Sequence, residues 1–307
     1  MPLFHLQDGI PTFKNAVITI GSFDGVHLGH KKIIETLISI AKQNNGESVV
    51  VTFHPHPRKI ISPDVPIQLI AATSEKYEQL FHYGIDHIIE VPFTRDFSLL
   101  SAEDYVLDFL LQKIKPHTIV IGYDHHFGHD RKGDIQLLKS IIQDKVTVIE
   151  IPEQLIQDAN ISSTAIRKAL LSGQVDKAAK MLGRPYQFCG WVVHGNKLGR
   201  TIGFPTANIK PKCEDQLLPP IGIYAAYACC GDKTYKAAVS IGKNPTVTDD
   251  SSLKYEAFLL DFDGELYGQE LCLKFIHKIR DEQQFENIDA LKKQIAEDVA
   301  IIRDLLD

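Results

Sequence analysis

Residues 16–30 read AVITIGSFDGVHLGH. Val17, Ile18 and Ile20 form a short β-branched apolar run, the composition of a strand buried on both faces of a parallel sheet. The run breaks at Gly21, turns through Ser22-Phe23-Asp24-Gly25, and enters a helix whose apolar positions Ile33, Ile34, Leu37, Ile40 and Ala41 share one face. Asn45-Gly46 stops that helix. A strand, a glycine turn and a helix start together aim free backbone N–H groups and the positive end of a helix dipole at one point, where an anion can sit. Gly21, Gly25 and Gly29 leave room for a phosphate close to the backbone. His27 and His30 lie three apart, so both rings project from the same side of the first helical turn.

Two imidazoles beside a phosphate-sized hole fit nucleotide chemistry. Donors on the α- and β-phosphates stabilise the charge that builds during in-line attack at the α-phosphorus. Two of the chain's 13 histidines, three residues apart, would by themselves be ordinary surface residues. The strand and the three glycines around them favour the ligand reading. The stretch is neither a Walker A loop nor G-x-G-x-x-G, so P-loop and dinucleotide chemistry are not indicated. It resembles the H-x-G-H signature of the nucleotidyltransferase superfamily at His27-Leu28-Gly29-His30, which implies adenylyl or cytidylyl transfer. Class I aminoacyl-tRNA synthetases share that signature and must also hold a polyanion. A formal net charge of -6 argues against nucleic acid as a partner.

With 307 residues the chain is long enough for two domains with their own cores, and 44% apolar content puts it among ordinary soluble proteins. The sequence has no cationic-then-apolar leader and no apolar run long enough to span a membrane, so a cytoplasmic protein is expected. Cys189, Cys213, Cys229, Cys230 and Cys272 are odd in number and form no C-x-x-C pair. They read as reduced packing residues, not as a disulfide frame or a zinc site.

Further strands follow at 49–53, 87–91, 118–121 and 146–151, with helices opening at Thr73 and at the Ser101-Ala102-Glu103-Asp104 capping box. The latter helix directs Tyr105, Val106, Phe109 and Leu110 inward. Strands alternating with helices predict a parallel sheet wound on both faces, with ligand loops gathered at one edge. His54-Pro55-His56-Pro57 after the second strand reads as a stiff loop at that edge; no third metal ligand follows it. Tyr123-Asp124-His125-His126-Phe127-Gly128 follows another strand. In Ile161-Ser162-Ser163-Thr164-Ala165-Ile166-Arg167 a serine caps a helix and leaves hydroxyls, N–H groups and Arg167 near its start, a second anion grip suited to pyrophosphate. Gly183-Arg184-Pro185 marks the junction between domains of residues 1–184 and 185–307.

Beyond the junction, short alternating runs separated by glycine turns predict a small antiparallel barrel closed by one amphipathic helix. The helix face is Ile288, Leu291, Ile295, Val299, Ile302 and Leu306, with Asn287 as cap. His194 to Asn208 carries Gly195, Gly199, Gly203, Lys197 and Arg200, a cationic flap able to wrap phosphates. Thr206 and Asn208 point the same way if extended and offer two oxygens to a magnesium ion. Glu256 is a lone carboxylate in an apolar strand, and alternation places it at the barrel mouth as a candidate general base.

Taken together, the ordered motifs resemble the prokaryotic bifunctional riboflavin kinase/FAD synthetase family over nearly the whole length. They are GSFDGVHLGH at 21–30, TFHPHP at 52–57, LSAEDYV at 100–106, ISSTAIR at 161–167, GRTIGFPTAN at 199–208, PPIGIY at 219–224, IGKNPT at 241–246, YEAFLLDF at 255–262, LYG at 266–268 and IRDEQQF at 279–285. The resemblance implies an α/β Rossmann-like nucleotidyltransferase domain followed by a riboflavin kinase β-barrel with a C-terminal helix. It implies phosphorylation of riboflavin by ATP to FMN, then adenylylation of FMN by a second ATP to FAD and pyrophosphate. Carried onto this chain, His27 and His30 stabilise the adenylyl transition state, with Gly21, Phe23, Asp24, Gly29, His56 and Asp124 around the nucleotide. Ser162, Ser163, Thr164 and Arg167 hold phosphates. Gly199 and Gly203 belong to the kinase flap, Thr206 and Asn208 hold magnesium–ATP, Glu256 is the base, and Arg280 sits in a flavin-covering loop. Where the family usually reads G-x-D-F-R-F-G, this chain has His125-His126 in place of an aromatic and an arginine, which implies slower or more pH-sensitive adenylylation. Val247 replaces an expected aromatic after Asn244-Pro245-Thr246. The rival readings are a kinase with a decayed N-terminal half and a flavin-storage module without turnover.

Overall fold

The computed structural model describes residues 2–152, 161–195, 198–243 and 253–307. Asn196, Lys197, the Asn244-Pro245-Thr246 segment and Val247 lie outside them. The chain divides into two compact units, Met1–Gln68 with Thr73–Ser162, and Leu69–Ala72 with Ser163–Asp307.

The first unit holds six strands: β1 (Leu3–His5), β2 (Val17–Ile20), β3 (Ser48–His54), β4 (His87–Pro92), β5 (Thr118–Gly122) and β6 (Thr147–Ile151). They form one sheet in the order β1-β4-β3-β2-β5-β6, and every pairing is parallel. The strands alternate between two cores. Ile18, Ile20, Val49 and Val51 pack with Phe109 and Leu110 on one face. Val17 and Val50 pack with Ile34, Leu37 and Leu80 on the other. Each such side chain contributes roughly 1.5–3 kcal/mol of burial, which is why β2 needs apolar residues at nearly every position.

The sheet reverses its strand order at β2, with β3 on one side and β5 on the other. The β2–β3 register runs on to Ile20–Val51, whereas β2 and β5 pair only at Val17–Thr118 and Ile18–Ile119. The two strands therefore part toward their C-terminal ends, opening the crevice that such switch points offer to ligands. The expected capping box is present: Ser101 Oγ accepts from the Asp104 N–H at 3.0 Å and donates to its carboxylate at 2.7 Å. Residues Tyr105–Ile114 then wind as a π-helix, with Tyr105, Val106, Phe109, Leu110 and Ile114 inward.

In the second unit β7 (Tyr186–Val193), β8 (Ala207–Pro211), β9 (Gly222–Cys230), β10 (Lys233–Lys243), β11 (Leu253–Leu259) and β12 (Glu270–Arg280) close into an antiparallel barrel in the order β10-β11-β8-β7-β12-β9. Aromatic rings fill the interior: Phe188 stacks on Phe275 at 5.9 Å, and Tyr255 and Tyr224 meet that pair edge-on at 5.5 Å. Asn287 caps the final helix, Ile288–Leu305, by accepting from Asp289 and Ala290 N–H groups. Among the described apolar residues of the helix, Ile302 and Leu306 are the ones buried in the cluster it forms with the barrel. Ile288, assigned to the same apolar face, is 56% exposed.

The cysteine reading needs correction. Cys189 and Cys272 face each other across β7 and β12 and are joined by a disulfide, while Cys213, Cys229 and Cys230 are free. The partners lie 83 residues apart, and only barrel closure brings them to the same rung. Among the described residues no helix is long and apolar enough to cross a membrane.

Candidate active sites

The Gly21–His27 loop leaves β2 through left-handed backbone at Phe23 (φ 49), Gly25 (φ 80) and Val26 (φ 40). A β-branched residue in that region stores roughly 1–3 kcal/mol of strain, of the kind retained where a site demands it. The loop ends at His27, the N-cap of the Leu28–Gln43 helix. Its Nδ1 accepts the His30 N–H at 3.3 Å, which leaves the proton of a neutral ring on Nε2. The His30 ring stacks on His27 at 3.7 Å and 16°, and Phe23 meets it edge-on at 5.0 Å. The expectation that the two rings share one side is met. Burial, reinforced by His27, holds the His30 pKa well below the usual imidazole range, so the ring is neutral at physiological pH. Its Nδ1 is buried with no hydrogen-bond partner among the described residues, which normally costs about 1–3 kcal/mol. Asp24 is buried in the same loop, as is Gly29 at the helix start. A Cβ on Gly21 would stand 3.1 Å from the Phe23 ring.

His56 caps the short Pro57–Ile61 helix, its Nδ1 accepting from the Arg58 N–H at 3.2 Å. Asp124 is exposed in the turn after β5, on the other flank of the switch point. Burial brings the His125 pKa down to about 4 against the pull of Asp124, with His126 and Arg131 lowering it further. His125, at the position of the motif's aromatic, is therefore uncharged near neutral pH, and His126, at the position of its arginine, is exposed. The Phe127-Gly128 pair has a packing reason: Phe127 stacks on Tyr105 at 5.1 Å, and a Cβ on Gly128 would lie 2.7 Å from Ala102 Cα. Ser162 ends the first unit; Ser163, Thr164 and Arg167 lie at the start of the Ser163–Leu171 helix of the second.

On the barrel, Glu256 does not sit at the mouth. Tyr255, Ala257 and Leu259 point into an interior already full of rings, so alternation puts Glu256 and Phe258 on the outer wall. There it lies in register with Asn208 of β8, and Thr206 Oγ1 donates to its Oε2 at 3.4 Å. Two clefts meet at Thr206. The first, of about 300 Å³, is lined by Ile223, Ser240, Glu256 and Phe258 of the barrel and by Leu291 and Ile295 of the last helix. The second, of about 350 Å³, is lined by Arg200, Pro205, Thr206, Asp263 and Tyr267. Two flap glycines are forced by contact: a Cβ on Gly199 would lie 2.3 Å from the Phe204 carbonyl oxygen, and one on Gly195 would lie 2.3 Å from the Asn208 amide. Gly203 turns with φ +89.

Arg280 is the last residue of β12 and not part of a loop. Its guanidinium clamps Asp298 of the final helix through Nε at 3.0 Å and Nη2 at 2.7 Å, and donates from Nη1 to the Asp281 carbonyl. Gln294 adds a bond to Asp298 at 3.1 Å. Asp298 escaped the sequence reading because it interrupts an exposed-looking face of an amphipathic helix. Its buried position (3% exposed) depends on β12 passing beneath it. The outer-wall location of Glu256 likewise carries no local signal, since either face of a strand alternates identically.

A family model described as FAD synthetase matches residues 10–165, and one described as riboflavin kinase matches residues 182–306. The chain is 36% identical over 285 residues to the bifunctional riboflavin kinase/FMN adenylyltransferase of Listeria monocytogenes, covering 92% of this chain and 90% of that one. It is 35% identical to the protein of the same name from Escherichia coli K12, covering 95% and 93%. A crystal structure solved as a macrolide-efflux protein from Streptococcus pneumoniae superposes with a TM-score of 0.89 at 31% identity, over 98% of both chains. With both models matched in order and relatives aligned nearly end to end, this chain belongs to the bifunctional riboflavin kinase/FMN adenylyltransferase family.

Proposed function

We propose that the chain phosphorylates riboflavin to FMN on its barrel and adenylylates FMN to FAD on its parallel-sheet unit, using ATP in both reactions. The observation that carries the kinase half is the meeting of two clefts at Thr206, with the Glu256 carboxylate 3.4 Å from its hydroxyl. The first cleft has the apolar wall a flavin ring needs, and the second has Arg200 for phosphates. Glu256 takes the proton of the terminal ribityl hydroxyl as that oxygen bonds to the γ-phosphorus of ATP; the bond to the β-phosphate oxygen breaks and ADP leaves. Thr206 and Asn208 present neutral oxygen donors beside a carboxylate, a set that fits magnesium. Those two residues would hold the ion, which supplies neutralisation of charge on the triphosphate.

In the sheet unit an FMN phosphate oxygen attacks the α-phosphorus of ATP and pyrophosphate departs. His27 contributes its Nε2–H, and His30 contributes a neutral imidazole kept from protonation by burial. Neutral donors stabilise the developing charge without changing protonation state near pH 7. Asp124, His56, Ser162, Ser163, Thr164 and Arg167 are assigned to nucleotide and phosphate contacts on their motif positions. The substrates are small molecules, and the setting is the cytoplasm, where riboflavin and ATP meet.

Incubating the protein with riboflavin, ATP and Mg²⁺ and separating the flavins by chromatography tests both halves. FMN followed by FAD is expected. FMN alone would restrict the chain to the kinase, and unchanged riboflavin would leave only flavin binding.

A further inference from the structure

Neither reaction as described uses Lys76, although it is 7% exposed and lies on the Thr73–His82 helix of the sheet unit. Its ammonium donates to Thr52 Oγ1 at 3.1 Å and to the Phe53 carbonyl oxygen at 3.4 Å. Thr52, wholly buried near the C-terminal end of β3, donates in turn to the Ser22 carbonyl oxygen at 3.3 Å. Ser22 immediately precedes Phe23, whose ring packs edge-on against His30 at 5.0 Å. One line of contacts thus runs from a buried cation through a threonine to the strained loop that ends at His27 and packs Phe23 against His30. The charge reaches the loop by a second route as well: the buried Asp24 carboxylate, together with Glu90, favours the ammonium form against the desolvation that draws its pKa down to about 8.

Burying a lysine is unfavourable, and an apolar side chain of similar length would fill the same space without that cost. A space-filling role therefore gives no reason for the ammonium, whereas fixing a loop of unfavourable φ angles does. We infer that Lys76 is a positioning residue for adenylyl transfer: through Thr52 and against Asp24 it holds the Ser22–Asp24 segment, and with it the His30 ring, at the nucleotide. This rests on the adenylyl-transfer reading above.

The experiment compares the wild-type chain with Lys76→Met, Lys76→Arg and Thr52→Val. It follows FAD formation from FMN and ATP, FMN formation from riboflavin, and the circular-dichroism melt of each protein. Wild type should make FAD. Lys76→Met should lose about 10²-fold in kcat, the order expected when reacting groups are misplaced by an ångström, with KM for ATP and FMN little changed. Lys76→Arg should recover much of that loss. Thr52→Val keeps the side chain's outline but removes both bonds of the relay, the one from Lys76 and the one to Ser22, and should lose roughly tenfold or more, since each hydrogen bond is worth about 0.5–1.5 kcal/mol. The kinase rate of every variant should match wild type. If Lys76→Met does not fold, Thr52→Val and Lys76→Arg decide the matter on the same readouts. Wild-type FAD formation that Lys76→Met or Thr52→Val equals overturns the inference and leaves the adenylyl-transfer reading standing. The inference is equally overturned if the FAD rate falls only in step with the melting temperature. No FAD from wild type overturns both.

Discussion

Replacing Glu256 by glutamine should separate the two reactions of this chain. The substitution keeps the side chain's size, and Glu256 makes no ion pair among the described residues, so little stability is at stake. A glutamine amide oxygen can still accept from Thr206, whose hydroxyl stands 3.4 Å away. What is lost on the proposed mechanism is the ability to take a proton from the flavin hydroxyl in the cleft lined by Glu256, Phe258 and Ile295. General-base contributions run at about 10²–10⁴ in rate. That corresponds to about 3–5 kcal/mol of activation free energy at 1.36 kcal/mol per decade. The loss should fall on kcat, because the cleft proposed to bind the flavin ring is untouched and KM for riboflavin would report that cleft. FAD formation from supplied FMN should continue at the wild-type rate, since the His27–His30 pair lies in the other unit. Timed chromatography of riboflavin, FMN and FAD measures both activities in one protein sample. Kinase turnover within a few-fold of wild type would remove Glu256 from the role, and a parallel fall in both activities would point to misfolding.

Three other outcomes follow from the same geometry. Alanine at His27 or at His30 should slow FAD formation by about 10²–10³ while FMN formation persists, as each ring supplies one transition-state donor; an unchanged adenylylation rate in both single variants contradicts the assignment. Asp298→Asn should strand the Arg280 guanidinium, at the low end of about 3–5 kcal/mol because that side chain keeps 20% exposure. The final helix should loosen, with a raised riboflavin KM and a lower melting temperature but normal FAD formation from FMN; an unchanged KM refutes the clamp. The third outcome concerns pH. His30 is held below the ordinary imidazole value of 6.5. As pH falls below about 6.5 the unfolded chain takes up a proton that the folded chain refuses, so this contribution to stability is full above that value and declines on acidification. The melting temperature should therefore fall more steeply between about pH 7 and 5 in wild type than in His30→Gln, and identical slopes would count against a buried neutral ring.

The parts of this molecule legible in sequence are those with local causes. The β2 run, the glycine turn and the His27-x-x-His30 spacing announce a strand, a tight loop and one helical face, because each depends on residues within a few positions of one another. The Ser101 capping box and the Asn287 cap are visible for the same reason. The disulfide between Cys189 and Cys272, the Arg280–Asp298 clamp and the Lys76–Thr52–Ser22 line join residues brought together only by closure of a barrel or a sheet. Nothing in the composition near Cys189 distinguishes it from the free Cys213. The family motifs single out Glu256, but strand alternation is the same whether its face is turned to a barrel's mouth or to its outer wall.

The described interior of the six-stranded barrel is packed with the rings of Tyr186, Phe188, Tyr224, Tyr255 and Phe275. Chemistry on such a barrel has to be done on its outer wall, where a bare strand would leave a carboxylate in open water. The final helix resolves that conflict by dividing its apolar stripe: Ile302 and Leu306 bury against the wall, while Leu291 and Ile295, about three and two turns before Ile302, line the cleft over Glu256. The division demands that the helix be held at both stations. The apolar contacts hold one end, and the Arg280–Asp298 pair holds the other beside the cleft. A buried ion pair is a poor source of stability compared with hydrophobic packing. Here packing would close the gap that the ligand needs, whereas a charged fork fixes the helix at a set distance and leaves the cleft open.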